Sequence, residues 1–167
     1  VSISLMIMNA VLSPVIADLY YRNENARLEK TVRTGTTLAV VPSALAMIVL
    51  YYYGSQILGL LYGPFYSAGY QVLLILGLGQ LFNVVSGPCG MALLMTGHQR
   101  IMMSISIITS VLAIVTSVFA AIHVGTTGVA IVFSTALVVQ NMLMVYFVRK
   151  HTGISTFLNF RFALPSA

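Results

Sequence analysis

The chain has 167 residues, of which 59% are hydrophobic and 7% charged, against about 25% charged in a soluble domain whose surface faces water. So few charges leave most of the surface facing something apolar, which excludes a disordered chain and an ordinary soluble globule. The net charge of +5, from 8 Lys and Arg against 3 acids, would suggest nucleic acid in a soluble protein; here it reads as basic residues that retain loops on the cytoplasmic side of a membrane, and no nucleic-acid partner is expected.

A helix needs about 20 apolar residues to cross a hydrocarbon core of about 30 Å. Five runs meet or approach this length, and none contains Lys, Arg, Asp or Glu. The first covers 1–17. It opens at Val1 without a basic n-region and ends in Asp18-Leu19-Tyr20-Tyr21-Arg22, not at a small-residue cleavage site. It therefore reads as a helix already inside the membrane, and the chain as a fragment whose N-terminal half is missing. Residues 18–35 follow, with Arg22, Arg27, Lys30 and Arg33 among Asp18, Glu24 and Glu29. Asn25 is placed to cap a helix whose first N–H groups need an acceptor. Glu29 and Arg33 stand i,i+4 in the favourable order. Together they predict a short interfacial helix over 25–34, its acids paired with neighbouring Arg and Lys.

The second span is expected over 36–53 and ends in Tyr51-Tyr52-Tyr53. The connection after it holds Leu61-Tyr62-Gly63-Pro64-Phe65-Tyr66. Aromatic rings at headgroup depth are membrane anchors; a substrate platform is the alternative use. The third span, 70–95, is unusually long and carries Gln80, Asn83, Gly87 and Pro88. The fourth is expected over 101–122 and the fifth over 129–148, with Gln140 and Asn141 in the fifth. The fold class is all-α: a polytopic membrane bundle of about five transmembrane helices over 1–153, followed by a cytoplasmic tail, 154–167.

The connections sort by charge. Arg22, Arg27, Lys30 and Arg33 lie before the second span, Arg100 before the fourth, and Arg149, Lys150 and Arg161 after the fifth. The two remaining connections, 55–69 and 123–128, contain no Lys or Arg. Five spans place all eight basic residues on one side, which the positive-inside rule makes cytoplasmic. One span more or fewer would scatter them. The C-terminus is then cytoplasmic in a multi-pass protein of the cell membrane. Arg22, Arg27, Lys30, Arg33 and Arg100 become candidate contacts for lipid headgroups.

Chemistry on a substrate would require ionisable groups brought together, such as paired carboxylates or a zinc cluster. The spans offer none, and no nucleophile, zinc or phosphate-loop motif is present. Cys89 is the one cysteine and lacks metal-ligand spacing. His98, His123 and His151 lie at span ends on alternate sides, so the three cannot share one site. An enzyme is not expected, and neither a metal nor a cofactor. The polar residues within the spans are instead Asn9, Gln80, Asn83, Gln140 and Asn141, with Pro14, Gly87 and Pro88 as points where a helix can bend. Two readings apply. Small residues and amides pack helices together in membranes, or the same residues line a hydrated cavity between moving helices.

The order of these features resembles the C-terminal half of a polysaccharide or oligosaccharidyl-lipid flippase of the MOP superfamily, which also contains the multidrug and toxin extrusion (MATE) transporters. The resemblance rests on Leu12-Ser13-Pro14 through Tyr20 before a charged segment, then Pro42. It continues through Ile57 to Ala68, with Gly63-Pro64-Phe65-Tyr66 at its centre. Leu76 to Asn83, Leu94 to Arg100, and Gly125-Thr126-Thr127-Gly128 complete it. It implies one lobe of a MATE-like transporter, matching the eighth to twelfth helices of a twelve-helix protein. The implied function is to move a polyprenyl-pyrophosphate sugar across the cytoplasmic membrane. Membrane lipid, the lipid-linked sugar and the missing N-terminal half are the implied partners. This half has no basic residue deep in a span, so a cationic cavity would have to come from the other half. A multidrug exporter of the same superfamily is the alternative, marked by intramembrane acids that this half lacks. A membrane-embedded enzyme or assembly subunit is the alternative of another class.

The one-sided charge fixes a testable topology. Single cysteines at Asn25 and Ser67, in a Cys89-free background, are expected to differ toward an impermeant thiol reagent: position 67 reacts on intact cells and position 25 only after permeabilisation. Labelling of position 25 from outside would overturn it.

Overall fold

The computed structural model describes residues 2–153, with side chains described from Ala10 onward except those of Val11, Pro64 and Ala68. Val1, the side chain of Asn9, and the 154–167 tail with Arg161 lie outside the described residues. The chain runs through α1 (Ser2–Tyr21), α2 (Asn25–Tyr62), a 3-10 segment (Pro64–Gly69), α3 (Tyr70–Ser86), α4 (Cys89–Met95), α5 (Gln99–Val124) and α6 (Thr126–Thr152). There is no strand among the described residues. The chain is an all-α membrane helix bundle. Among the described residues α2, α5 and α6 are each long and apolar enough to cross a membrane, and α3 with α4, bent by 44°, makes a fourth span if the pair counts as one. The run expected to form the first span lies in α1, whose 20 residues reach about 30 Å at 1.5 Å per residue.

The segment expected as a separate interfacial helix, 25–34, is continuous with the span after it. Both belong to the 38-residue α2, about 57 Å long and longer than a hydrocarbon core. The threonines that favour an interruption are absorbed: Thr34, Thr36 and Thr37 return their hydroxyls to the carbonyls of Lys30, Val32 and Arg33 at 2.8–2.9 Å. Asn25 is the first helical residue and not the cap. Glu24 holds the cap position without a side-chain bond to the helix, its carboxylate accepting instead from Arg27 at 2.9 Å. At the far end α2 passes through Gly54, where the Tyr70 ring lies so close that a Cβ would sit 2.8 Å from it. The Tyr70 hydroxyl donates to the Tyr51 carbonyl. Helix α2 stops only before Gly63, which has φ 97°, and Pro64.

The apolar residues that interrupt the charged segment explain why it is anchored. Leu28 and Val32 are fully buried and pack in one cluster with Leu12 and Ile16 of α1, Leu93 of α4, Ile105 of α5 and Val148 of α6. This cluster gathers the end of α1, the start of α2, the α4–α5 turn and the end of α6. The described cations Arg22, Arg27, Lys30, Arg33, Arg100, Arg149 and Lys150 therefore collect at one end of the bundle. Along the rest of α5 most exposed positions are apolar, among them Ile107, Ile108, Val111, Leu112, Val115 and Val118. Such a face suits hydrocarbon and would be a liability in water.

Helices α3 and α6 cross closely at Gly79, where an added Cβ would lie 3.0 Å from the Cα of Ser134. Ser134 also donates its hydroxyl to the Ile75 carbonyl at 2.8 Å. Because the obstacle is backbone, Gly79→Ala must push the helices apart. We expect it to cost roughly 1–3 kcal/mol, as overpacking does, and to lower the melting temperature in detergent. Gly59→Ala in α2, with nothing within 4 Å of the new Cβ, serves as the control and should melt at or above wild type. Equal melting of the two variants would remove the close crossing.

Candidate functional site

In hydrocarbon a polar side chain must carry its partner with it, so a site within the spans is found by following the polar atoms. The described amides singled out in the spans form three groups. On α3, Gln80 and Asn83 lie one turn apart and half-buried, and Asn83 donates its amide to Gln80 Oε1 over a long 3.4 Å. Between α4 and α6, Asn141 is buried; it donates to the Leu137 carbonyl at 2.8 Å and accepts from Cys89 Sγ at 3.4 Å. Between α5 and α6, Gln140 donates to Ser106 Oγ at 3.2 Å and accepts from Thr109 Oγ1 at 3.3 Å. A groove of about 380 Å³ runs beside this last group, lined by Thr109, Ser110, Phe133 and Gln140.

The structure thus joins Gln80 to Asn83 and separates Gln140 from Asn141. Neighbours on a helix differ by about 100° in direction, so Gln140 reaches α5 while Asn141 reaches α4. The side chain of Asn9 lies outside the described residues. Ser106 and Thr109 are additions to the sequence-derived set. Their signal was available, since residues three apart share a helix face, but serine and threonine in a membrane helix usually bond their own backbone. Thr109 has this option too: its one hydroxyl hydrogen can serve the Ile105 carbonyl at 2.7 Å in place of Gln140.

The candidate bend residues behave differently from one another. Pro14 lies inside an unbroken α1. Gly87 and Pro88 separate α3 from α4. Gly87 has φ 73° and ψ −170°, a conformation that residues with a Cβ rarely adopt. Pro88 has no N–H for the helical ladder, so the Val84 carbonyl accepts from Gly87 N–H at 3.0 Å instead. Cys89 N–H turns to the Gly87 carbonyl at 2.8 Å. Ser86, Gly87, Pro88 and Cys89 are all buried. Irregular backbone at membrane depth is tolerated only where protein or a hydrated cavity surrounds it. The break lies between the Gln80–Asn83 pair and the Cys89–Asn141 contact, so a change in its angle would move one relative to the other.

The basic residues also divide. Arg22 pairs with Asp18 at 2.9 Å, Arg27 with Glu24 at 2.9 Å and Arg33 with Glu29 at 2.6 Å, which is the pairing expected for these acids. Among the described residues Lys30, Arg100, Arg149 and Lys150 have no such ion pair. Lys30 borders a groove of about 360 Å³ with Leu12, Thr34 and Leu38. The three histidines do not form one site, but two of them meet: the rings of His98 and His151 lie 4.9 Å apart. Alternating sides put His98 and His151 at one end and His123 at the other, and the α4–α5 turn and the end of α6 do share an end of the bundle. His123 is exposed near the end of α5, away from them.

No curated protein and no solved structure matches the chain. The family model MatE matches residues 1–119, from the start of the chain through α4 and most of α5. With a multi-pass apolar helix bundle whose charges lie at one end and whose spans hold neutral polar pairs, this match shows that the chain belongs to the MatE family of membrane transporters.

Proposed function

We propose that the chain is part of a transporter that flips a lipid-linked oligosaccharide, carried on polyprenyl pyrophosphate, across the cytoplasmic membrane for surface polysaccharide biosynthesis, with its C-terminus in the cytoplasm. The observation that carries this reading is the neutral character of the hydrogen-bonding groups within the spans. Gln80, Asn83, Gln140, Ser106 and Thr109 are amides and hydroxyls, while all three acids lie near helix ends beside arginines. A sugar headgroup exchanges hydrogen bonds with such groups without carrying charge into the hydrocarbon, and its lipid tail stays in the bilayer. A second bundle, supplied by the rest of the protein, would close the cavity and provide cationic partners for the pyrophosphate at depth. Alternating access then follows from rocking one bundle against the other. A multidrug exporter is the other reading within the family, and it would need a carboxylate within a span to couple proton or sodium movement.

Substitutions around the α3–α4 break test this in the full-length protein, expressed in cells lacking their own flippase. Asn83→Leu should leave insertion and melting near wild type, because leucine is well tolerated in lipid. It should reduce polysaccharide export roughly tenfold, the worth of one hydrogen bond of about 1.4 kcal/mol. Replacing Gly87 and Pro88 together by alanine restores an N–H and removes the need for positive φ, so the two helices should join and turnover should slow while folded protein persists. Loss of export only in proportion to loss of folded protein would return these residues to packing. Efflux of a cationic dye without sugar export would favour the exporter.

A further inference from the structure

The cationic end of the bundle is not uniform. Around α1 and the start of α2, four basic residues face three acids and three of them are paired. At the start of α5 and the end of α6 stand Arg100, Arg149 and Lys150, and the described parts of α4, α5 and α6 contain no acid at all. Arg100 borders a groove of about 440 Å³ between these helices, continued downward by Ile101, Ser104, Ile108, Leu143 and Phe147. From Arg100 to Ile108 the groove descends about 12 Å along α5 at 1.5 Å per residue. Its lining passes from a cation at the mouth, past Phe147 and the Ser104 hydroxyl, to the aliphatic carbon of Ile108 and Leu143, with the Thr109 hydroxyl at its deep end.

The mouth is built from both helices. The His151 ring stacks on Phe147, centroids 5.9 Å apart at 23°, and faces His98. Each imidazole uses Nδ1 locally, His98 with Thr96 Oγ1 at 3.2 Å and His151 with the Phe147 carbonyl at 3.1 Å. The described titratable and charged groups at this end of α4, α5 and α6 are His98, Arg100, Arg149, Lys150 and His151. Lys150 stands one turn beyond Phe147, on the same side of α6.

We propose that this groove is a binding site for one anionic phospholipid. Its phosphate is held by Arg100 and Lys150 beside the histidine pair, and one acyl chain runs down along Ile101, Ile108, Leu143 and Phe147. Charge and shape select the occupant together. An anion answers the unpaired cations, and only an anion attached to hydrocarbon uses the apolar groove below them. Free phosphate would fill the mouth and leave the groove without a partner. The site is independent of the transported cargo.

The test uses the full-length protein in vesicles of phosphatidylcholine, doped with a phosphatidylglycerol or a phosphatidylcholine probe carrying a photoreactive group on its acyl chain. The expected adducts lie within residues 99–108 and 143–150, and form with the phosphatidylglycerol probe in preference. Arg100→Gln with Lys150→Gln should lower that labelling roughly thirtyfold, from about 1 kcal/mol per basic residue near an anionic lipid. Arg22→Gln with Arg27→Gln, at positions already neutralised by acids, should leave it within about twofold by the same measure. Equal labelling by both probes would overturn the proposal, as would competition by inorganic phosphate. So would absence of adducts in these segments, which would mean that another part of the protein or a second copy covers the groove.

Discussion

A polar group that enters hydrocarbon loses water and must bring a replacement, and the rest of this structure is arranged around that constraint. Many hydroxyls in the spans return to their own helix. Ser43 bonds the Ala39 carbonyl at 2.8 Å, Ser86 that of Phe82 at 2.9 Å and Thr116 that of Leu112 at 2.7 Å. These bonds let hydroxyls sit at depth at little cost, and they explain how α2 continues through a threonine-rich stretch. Charges have no such remedy within one helix, so they collect at one end, where Asp18, Glu24 and Glu29 neutralise three arginines. The exposed Arg22–Asp18 and Arg27–Glu24 pairs contribute little stability, while the Arg33–Glu29 pair is half-buried. Their effect is to lower the net charge of one part of that end and leave the α5–α6 part cationic.

The same constraint locates the break between α3 and α4. A positive-φ glycine followed by a residue without an N–H disrupts the ladder, which in contact with lipid would leave carbonyls bare. Here the break is buried, and neighbouring backbone takes up the loose groups: Gly87 N–H serves Val84, Cys89 N–H serves Gly87, and the Pro88 carbonyl accepts from Ala92 N–H at 2.8 Å. Val84, just before the break, is fully buried against Ala39 and Val40 of α2. The angle between α3 and α4 is thus held by packing on both sides, the condition under which a hinge has definite positions.

Much of this was legible in the sequence because hydropathy and charge act over whole spans. The apolar runs marked the helices, and the alternation of basic and non-basic connections grouped the cations before any geometry was known. Gly87 and Pro88 were visible as a bend from their backbone chemistry alone. The failures are local and share a cause. The continuity of α2 depends on Leu28 and Val32 meeting α1 and α4, and on Gly54 meeting Tyr70, which are contacts between distant segments. The cap at Glu24 in place of Asn25 turned on a single residue, where helix ends are least determined. The His98–His151 contact and the Ser106–Thr109–Gln140 group join different helices, and no spacing within one helix reports them.

The polar pairs also differ in how readily they can exchange partners. Asn141 is tied to a backbone carbonyl of its own helix at 2.8 Å and is buried against Cys89. That side chain is buried between α4 and α6, so a ligand reaching it would first have to part the two helices. Gln80 and Asn83 satisfy each other only through a long side-chain bond, 3.4 Å, and are half-buried. Gln140 contacts two hydroxyls at 3.2 and 3.3 Å, and the single hydroxyl hydrogen of Thr109 has the Ile105 carbonyl at 2.7 Å as its alternative acceptor when Gln140 leaves. A hydroxyl-rich cargo can replace these side-chain partners one for one and leave no backbone group orphaned. By that criterion the α3 pair and Gln140 suit transient contacts, whereas Asn141 is suited to holding α4 against α6 as the helices around it move.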